Sequence, residues 1–161
     1  MKDAHFSIEA VDLASLSSVR SFAESMSNKI STGSLPPISA LICNAFSWSL
    51  KGQKYTLDGI ESTFQVSHLS HFVLVLILLN SMDKTSGRIV FLGSEAHDSK
   101  NKGGLNPLGA ILPENLEELA TPSADKPGEE MARGFQRYGN AKLANVMFMH
   151  SLNQKLKQVC P

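Results

Sequence analysis

The sequence is short of several things, and each shortage removes a class of function. Fifteen Lys and Arg stand against fifteen Asp and Glu, a formal charge of zero. No basic excess is present to neutralise a phosphate backbone, which argues against nucleic-acid binding. Two cysteines, Cys43 and Cys160, are too few for a disulfide framework, and no C-x-x-C pair marks a zinc site. The first fifteen residues, MKDAHFSIEAVDLAS, lack the apolar core of a signal peptide. The most apolar run, Phe72 to Leu79 (FVLVLILL), falls far short of the ~20 residues a bilayer needs. Internal repeats and low-complexity tracts are absent as well. With 161 residues, 42% hydrophobic and 19% charged, the expectation is one domain, 1–161, with a sizeable core, soluble and cytoplasmic and without a membrane span.

What is present alternates between strand-like and helix-like segments. His5 to Asp12 (HFSIEAVD) alternates apolar and polar residues and predicts a strand. Ser15 or Ser17 is placed to cap a helix running to about Ile30, with Val19, Phe22, Met26 and Ile30 on one stripe. Thr32-Gly33-Ser34 and Pro36-Pro37 end it. Ile38 to Cys43 (ISALIC) is a short apolar run that predicts a buried strand, and a loop follows to about Thr56. A long helix is expected over 58–81, apolar all round in its second half, so that a sheet covers one side and a partner subunit of the same chain the other. Gly87 to Gly93 (GRIVFLG) predicts a third strand. From His97 to Gln136, four prolines and several glycines predict a long loop with one short helix at 114–120, a length that in a compact domain usually carries function. The last helix is expected over 137–158, with Leu143, Val146, Met147, His150 and Leu152 near its buried face. Continuous apolar strands between helices predict an α/β fold with a parallel sheet. Ligands of such sheets bind beyond the carboxyl ends of the strands, which singles out Asn44-Ala45-Phe46 and Ser94-Glu95-Ala96.

Tyr138 and Lys142, four residues apart on that last helix, share a face. A free tyrosine, with a pKa of about 10, is a poor acid–base catalyst at neutral pH, and a nearby ammonium favours the phenolate. The pair is therefore a candidate to protonate an alkoxide or deprotonate an alcohol. Ser94, at the end of the third strand, can hydrogen-bond the same oxygen. The spacing alone is common. Its meaning comes from order: an apolar strand ending in Gly93-Ser94, a loop, Tyr138-Gly139-Asn140-Ala141-Lys142, then an amphipathic helix.

Over nearly its whole length the chain resembles the short-chain dehydrogenase/reductase superfamily, nicotinamide-dependent enzymes built on a Rossmann sheet. Val11-Asp12-Leu13 matches the acidic turn beside the adenine. Leu41 to Phe46 matches the Asn-Asn-Ala-Gly motif with variants, 58–72 matches the long helix, 88–94 matches the strand bearing the catalytic serine, and Tyr138 and Lys142 match the catalytic pair. The long helix and the extended loop after Ser94 look most like the retinol-dehydrogenase and protochlorophyllide-reductase branches. The resemblance implies hydride transfer between NAD(P)H, NADP being favoured over NAD, and a small carbonyl or alcohol. Tyr138 would then move the proton, Ser94 orient the substrate, and Lys142 hold the nicotinamide ribose. Ser67 stands at the position of a fourth catalytic residue. Asp12, Leu13, Asn44, Ala45, Tyr138 and Lys142 would line the cofactor.

The departures from that pattern are as informative. No glycine-rich phosphate loop is present, because the chain starts at what matches the family's third strand and stops where a sixth would begin. The expected fold is thus an incomplete Rossmann-type doubly wound sheet, truncated at both ends. In the family's strand order a gap of roughly 14 Å, three strand spacings, would separate HFSIEAVD from ISALIC, leaving exposed edges and uncovered apolar helix faces. Ser67 replaces the family's asparagine, and Phe46 replaces a glycine near the cofactor. These features support a second expectation, a non-catalytic remnant that binds nicotinamide cofactor weakly and at most associates through its long helix. A hydrolase built on Ser94 and His97 lacks the G-x-S-x-G elbow. A metal site on His68 and His71 lacks a third ligand, so structural roles are expected for these two histidines and no metal for the protein.

Overall fold

The computed structural model describes residues 6–100 and 106–159. Helix α1 (Leu16–Ser31) begins where Ser15, in extended backbone, accepts a hydrogen bond from the Ser18 amide, as the sequence predicts. Val19 and Ala23 on its inner stripe are fully buried, and Phe22 and Met26 pack around them. Strands β1 (Ala40–Cys43) and β2 (Arg88–Phe91) pair in parallel, Leu41 opposite Ile89 and Cys43 opposite Phe91. The connection between them is one continuous helical run with a change of pitch. It comprises α2 (Ser62–Phe64), a π turn (Gln65–Leu69), α3 (Ser70–Leu78) and a closing 3₁₀ turn (Leu79–Ser81). After β2 come a 3₁₀ turn (Glu95–His97), a short α4 (Glu117–Ala120) and α5 (Glu130–Val159). The α/β class and the parallel pairing are therefore as expected.

Alternation along the strands sends Leu41, Cys43, Ile89 and Phe91 to one face and Ala40, Ile42, Arg88 and Val90 to the other. The first face is covered. Leu41 packs on the α1–α3 cluster of Val19, Ala23, Leu74 and Leu78. Phe91 meets Phe148 of α5 at 5.7 Å between ring centroids, and Phe148 meets Phe72 of α3 at 4.6 Å. The second face is open, with Ile42 62% and Val90 41% exposed. The sequence predicts uncovered apolar helix faces; the apolar surface left open here is a face of the sheet.

Several elements differ from expectation. Residues 6–12 form no strand, and Phe6 and Ile8 project into solvent; His5 lies outside the described residues, as does Cys160. A strand exists only as a ladder partner, and this segment reaches neither edge of the sheet. It is held instead by Val11 and Leu13 against the core cluster and by an ion pair between Glu9 and Lys29. The central helix starts at Ser62, with Glu61 as its cap accepting from the Phe64 amide. On its apolar half, Leu74 and Leu78 pack on α1, Phe72 meets Phe148 of α5, and Leu76 stays 46% exposed. At 20 residues, Ser62–Ser81 is long and apolar enough to cross a membrane by length and composition, which counting the uninterrupted apolar run alone did not reveal. Yet Gln65, Ser67, Ser70 and His71 on it are buried and hydrogen-bonded to the rest of the chain, as in the core helix of a folded domain. Helix α5 starts seven residues earlier than expected, and Met147 and His150 face solvent, whereas Phe135, Ala141, Lys142 and Asn145 are buried.

Candidate functional site

The carboxyl ends of β1 and β2 lie side by side, and the ladder continues past them through the Leu92 amide, which donates to the Cys43 carbonyl (3.2 Å). Beyond β2, Ser94 caps the 3₁₀ turn, its Oγ accepting from the Ala96 amide (3.2 Å). Helix α5 comes down onto this turn at Gly139. A Cβ there would sit 2.5 Å from the Ala96 carbonyl oxygen and 3.0 Å from Asn106 Nδ2, so only glycine allows the approach. The residue preceding that contact is Tyr138. One turn further along, Lys142 is 3% exposed and its Nζ donates to the Leu92 carbonyl (2.6 Å). The ammonium lies 5.6 Å from the Tyr138 ring centroid and 5.8 Å from that of Phe46. Burial holds its pKa below the ordinary lysine value. Tyr138, Lys142 and the Ser94 turn thus meet at one corner of the fold. Ser94 and Tyr138 make no direct hydrogen bond.

Ser67 is fully buried in the π turn and clamps the loop after β1. Its Oγ donates to the Ser47 carbonyl (3.0 Å) and accepts from the Ser47 amide (3.1 Å). Its own carbonyl accepts from Asn145 Nδ2 (3.0 Å), and Asn145 Oδ1 meets His68 Nδ1 at 2.8 Å. Asn145 lies three residues after Lys142 on the same face of α5, which was the one signal available for it. His71 Nε2 bonds the Ala45 carbonyl (2.8 Å) and so acts as the donor there, leaving Nδ1 without a partner among the described residues. Burial pushes both imidazoles below the usual 6.5. Each histidine thus ties the central helix to a neighbouring element, His68 to α5 and His71 to the loop after β1. Burial also raises the Cys43 thiol to about 11, which keeps it unreactive at neutral pH.

Asn44, Ala45 and Phe46 are exposed beyond β1, with the Phe46 ring centroid 5.8 Å from the Lys142 ammonium. Asp12 and Leu13 sit elsewhere, at the start of α1. Asp12 Oδ1 accepts from the Ala14 amide (2.9 Å), and the Leu13 carbonyl accepts from Ser70 Oγ (2.6 Å). Both are engaged in holding the chain itself. A diphosphate finds no cradle among the described residues. The N-terminus of α1 is closed by the chain's own Asp58, whose Oδ2 accepts from the Leu16 amide (2.8 Å), and no glycine-rich turn precedes it. Of the residues that the resemblance assigns to a cofactor, Tyr138 and Lys142 lie beside the loop that carries Asn44 and Ala45, whereas Asp12 and Leu13 lie at the start of α1.

Two further groupings escaped the sequence reading. Arg137, beside Tyr138, makes a bidentate ion pair with Asp125 (2.6 and 3.1 Å) and faces Glu61 at 3.6 Å, all three side chains being nearly or fully buried. Its partners lie 12 and 76 residues away, beyond the reach of any local pattern. The second grouping is aromatic: Phe46, Trp48, Phe135 and Tyr138 form one cluster. A cavity of about 300 Å³, lined in part by Phe64, Ile111, Arg133, Arg137 and Asn140, borders α5 but includes none of Ser94, Tyr138 and Lys142.

No family model matches the chain. It is 37% identical to a short-chain dehydrogenase of Talaromyces variabilis over 92% of its own length and 48% of the relative. It is 40% identical to a WW domain-containing oxidoreductase of Drosophila melanogaster, covering 92% of this chain and 32% of that protein. With a protochlorophyllide reductase of Avena sativa it shares 30% identity, over 96% and 51% of the two chains. Among solved structures, an uncharacterized protein from Mycobacterium paratuberculosis superposes with a TM-score of 0.65 at 30% identity, over 92% of this chain and 44% of that one. The chain spans about half or less of the length of these relatives.

Proposed function

The chain is a relative of the short-chain dehydrogenase/reductases over nearly its whole length, and from that premise we propose that it carries the proton-transfer corner of an oxidoreductase acting on a carbonyl or alcohol. The observation that supports this reading is the Lys142 ammonium, tied to the tip of β2 through the Leu92 carbonyl and lying 5.6 Å from the Tyr138 ring centroid. A nicotinamide cofactor, when bound, supplies or receives the hydride. Tyr138 gives its hydroxyl proton to the developing alkoxide, or takes one from an alcohol. The Lys142 ammonium, held on the Leu92 carbonyl, stands beside the phenol as a fixed positive charge facing the oxygen on which negative charge develops. Because Ser94 Oγ accepts from the Ala96 amide, its own O–H is left to donate to the same substrate oxygen and orient it. Ser67 acts at one remove, by pinning the loop that carries Phe46.

Carbonyl-dependent oxidation of NADPH by the 161-residue chain tests this reading. Tyr138→Phe is expected to abolish turnover, and Lys142→Met to reduce it by two orders of magnitude or so. An unchanged rate in Tyr138→Phe removes Tyr138 from the chemistry.

A second reading, a non-catalytic relative, has its own support in the closed N-terminus of α1 and in the Phe46 ring beside Tyr138. It predicts that NADPH binds this chain weakly, without saturation at micromolar concentration in a fluorescence titration. Micromolar affinity would reject it.

A further inference from the structure

The loop after β1 lays two large rings against the candidate proton donor. Phe46 and Trp48, alternate residues, are 6.1 Å apart edge to face, and their centroids lie 5.7 and 5.5 Å from that of Tyr138. Trp48 is backed by Phe135, itself buried, at 5.2 Å. Despite these contacts, Phe46 stays 52% and Trp48 45% exposed. A single exposed ring needs no explanation. Contiguous rings left half in water around one phenol do.

This surface is held in place. Ser47, between the two rings, is bonded through both its amide and its carbonyl to Ser67 Oγ, and the Ala45 carbonyl is bonded to His71. The Lys142 ammonium lies within 6 Å of the Phe46 and Tyr138 centroids, close enough for cation–π attraction to both rings. What remains open is a rigid wall of ring edges and faces beside the Tyr138 side chain. Aromatic ligands gain from such walls through offset and edge-to-face contacts that saturated rings of equal size do not make.

We propose that Phe46, Trp48 and Tyr138 form an open aromatic platform that selects carbonyl compounds bearing a flat ring over alkyl carbonyls of the same carbon count. Calling the ligand a substrate rests on the proton-transfer reading above. Binding of the ring does not, so the two fail separately.

The chain contains one tryptophan, and Trp48 fluorescence excited at the red edge therefore reports on the platform directly. Acetophenone, added to the whole chain without cofactor, is expected to quench Trp48 saturably. It is expected to bind at least fivefold more tightly than cyclohexyl methyl ketone, measured by competition. Phe46→Leu keeps apolar bulk and removes a ring, and should bring that preference close to one with the far-UV circular dichroism unchanged. Trp48→Leu, read by saturation-transfer NMR of the two ketones, should do the same. Equal affinity for the two ketones, quenching without saturation, or a preference that survives in both folded variants would overturn the proposal. If both variants lose their helical signal, the wild-type ratio alone decides. Ring selectivity without turnover would leave the platform standing and remove the catalytic reading; turnover without ring selectivity would do the reverse.

Discussion

The central helix has two sides of opposite chemistry. Toward α1 it is apolar, with Leu74 and Leu78 closing on Val19 and Ala23. Toward α5, below the Phe72–Phe148 contact, its N-terminal half is polar, a seam of Ser67, His68 and Asn145 continued by Glu61 and Arg137. The first seam is non-directional: any well-filled arrangement of these side chains buries similar area. The second is directional, because each donor has a particular acceptor and a slip of one residue would leave several buried polar groups unpaired. The apolar seam holds the fold together. The polar seam sets the register of α5, and with it the position of Tyr138 and Lys142.

That contrast can be broken from either side. Arg137→Ala should cost most, about 3–5 kcal/mol in urea unfolding, since it strands the Asp125 and Glu61 carboxylates in the interior. A loss below about 1 kcal/mol would mean that both carboxylates reach water and that the polar seam is dispensable. On the apolar side, Leu74→Ala should cost about 2–4 kcal/mol by the same measurement, from lost transfer energy and the cavity left behind. Asn145→Ala should cost about 1–3 kcal/mol, since it removes a donor to the Ser67 carbonyl and the partner of His68 Nδ1. Its signature should be local, with faster amide exchange in the π turn and unchanged exchange in α1. Uniform acceleration across both seams would show that they are one cooperative unit.

The smallest effect is a pH dependence. Burial, the leading cause for both His68 and His71, puts their folded pKa values below the unfolded 6.5. The unfolded chain therefore takes up protons first as the pH falls. Stability is full above about 6.5 and erodes as acidity increases through the two folded values. The urea midpoint should be lower at pH 5.5 than at pH 7.5, and His71→Gln should reduce the difference. An identical change with pH in that variant would exclude His71 as a source.

Much of this architecture is written in local pattern. The Ser15 cap and the stripe of α1 are legible because a helix start needs an acceptor for its free amides and a helix repeats every 3.6 residues. The two apolar runs read as parallel strands because period and composition sufficed. The Tyr138–Lys142 pair was visible because i, i+4 residues share a face whatever surrounds the helix. The early start of α5 was not, because Gly134 resembles a loop residue. Its reason lies in space: a Cβ there would come within 2.3 Å of the Ser49 carbonyl oxygen. The π turn was hidden too. Its reading depends on what Ser67 and Asn145 bond to, and those partners stand 20 and 78 residues from Ser67. Residues 6–12 mark the converse limit, a strand-like alternation with no ladder to join.

The chain by itself determined the helices, the two parallel strands and the one-turn spacing of a phenol and an amine, since each follows from neighbours within a few residues. Tertiary structure decided which glycines admit close approach, which polar groups face each other across the interior, which sheet face stays bare, and that Phe46 and Trp48 flank Tyr138. Those outcomes depend on residues far apart in sequence meeting in space, and hydrogen bonds, ion pairs and ring contacts act only over a few ångströms.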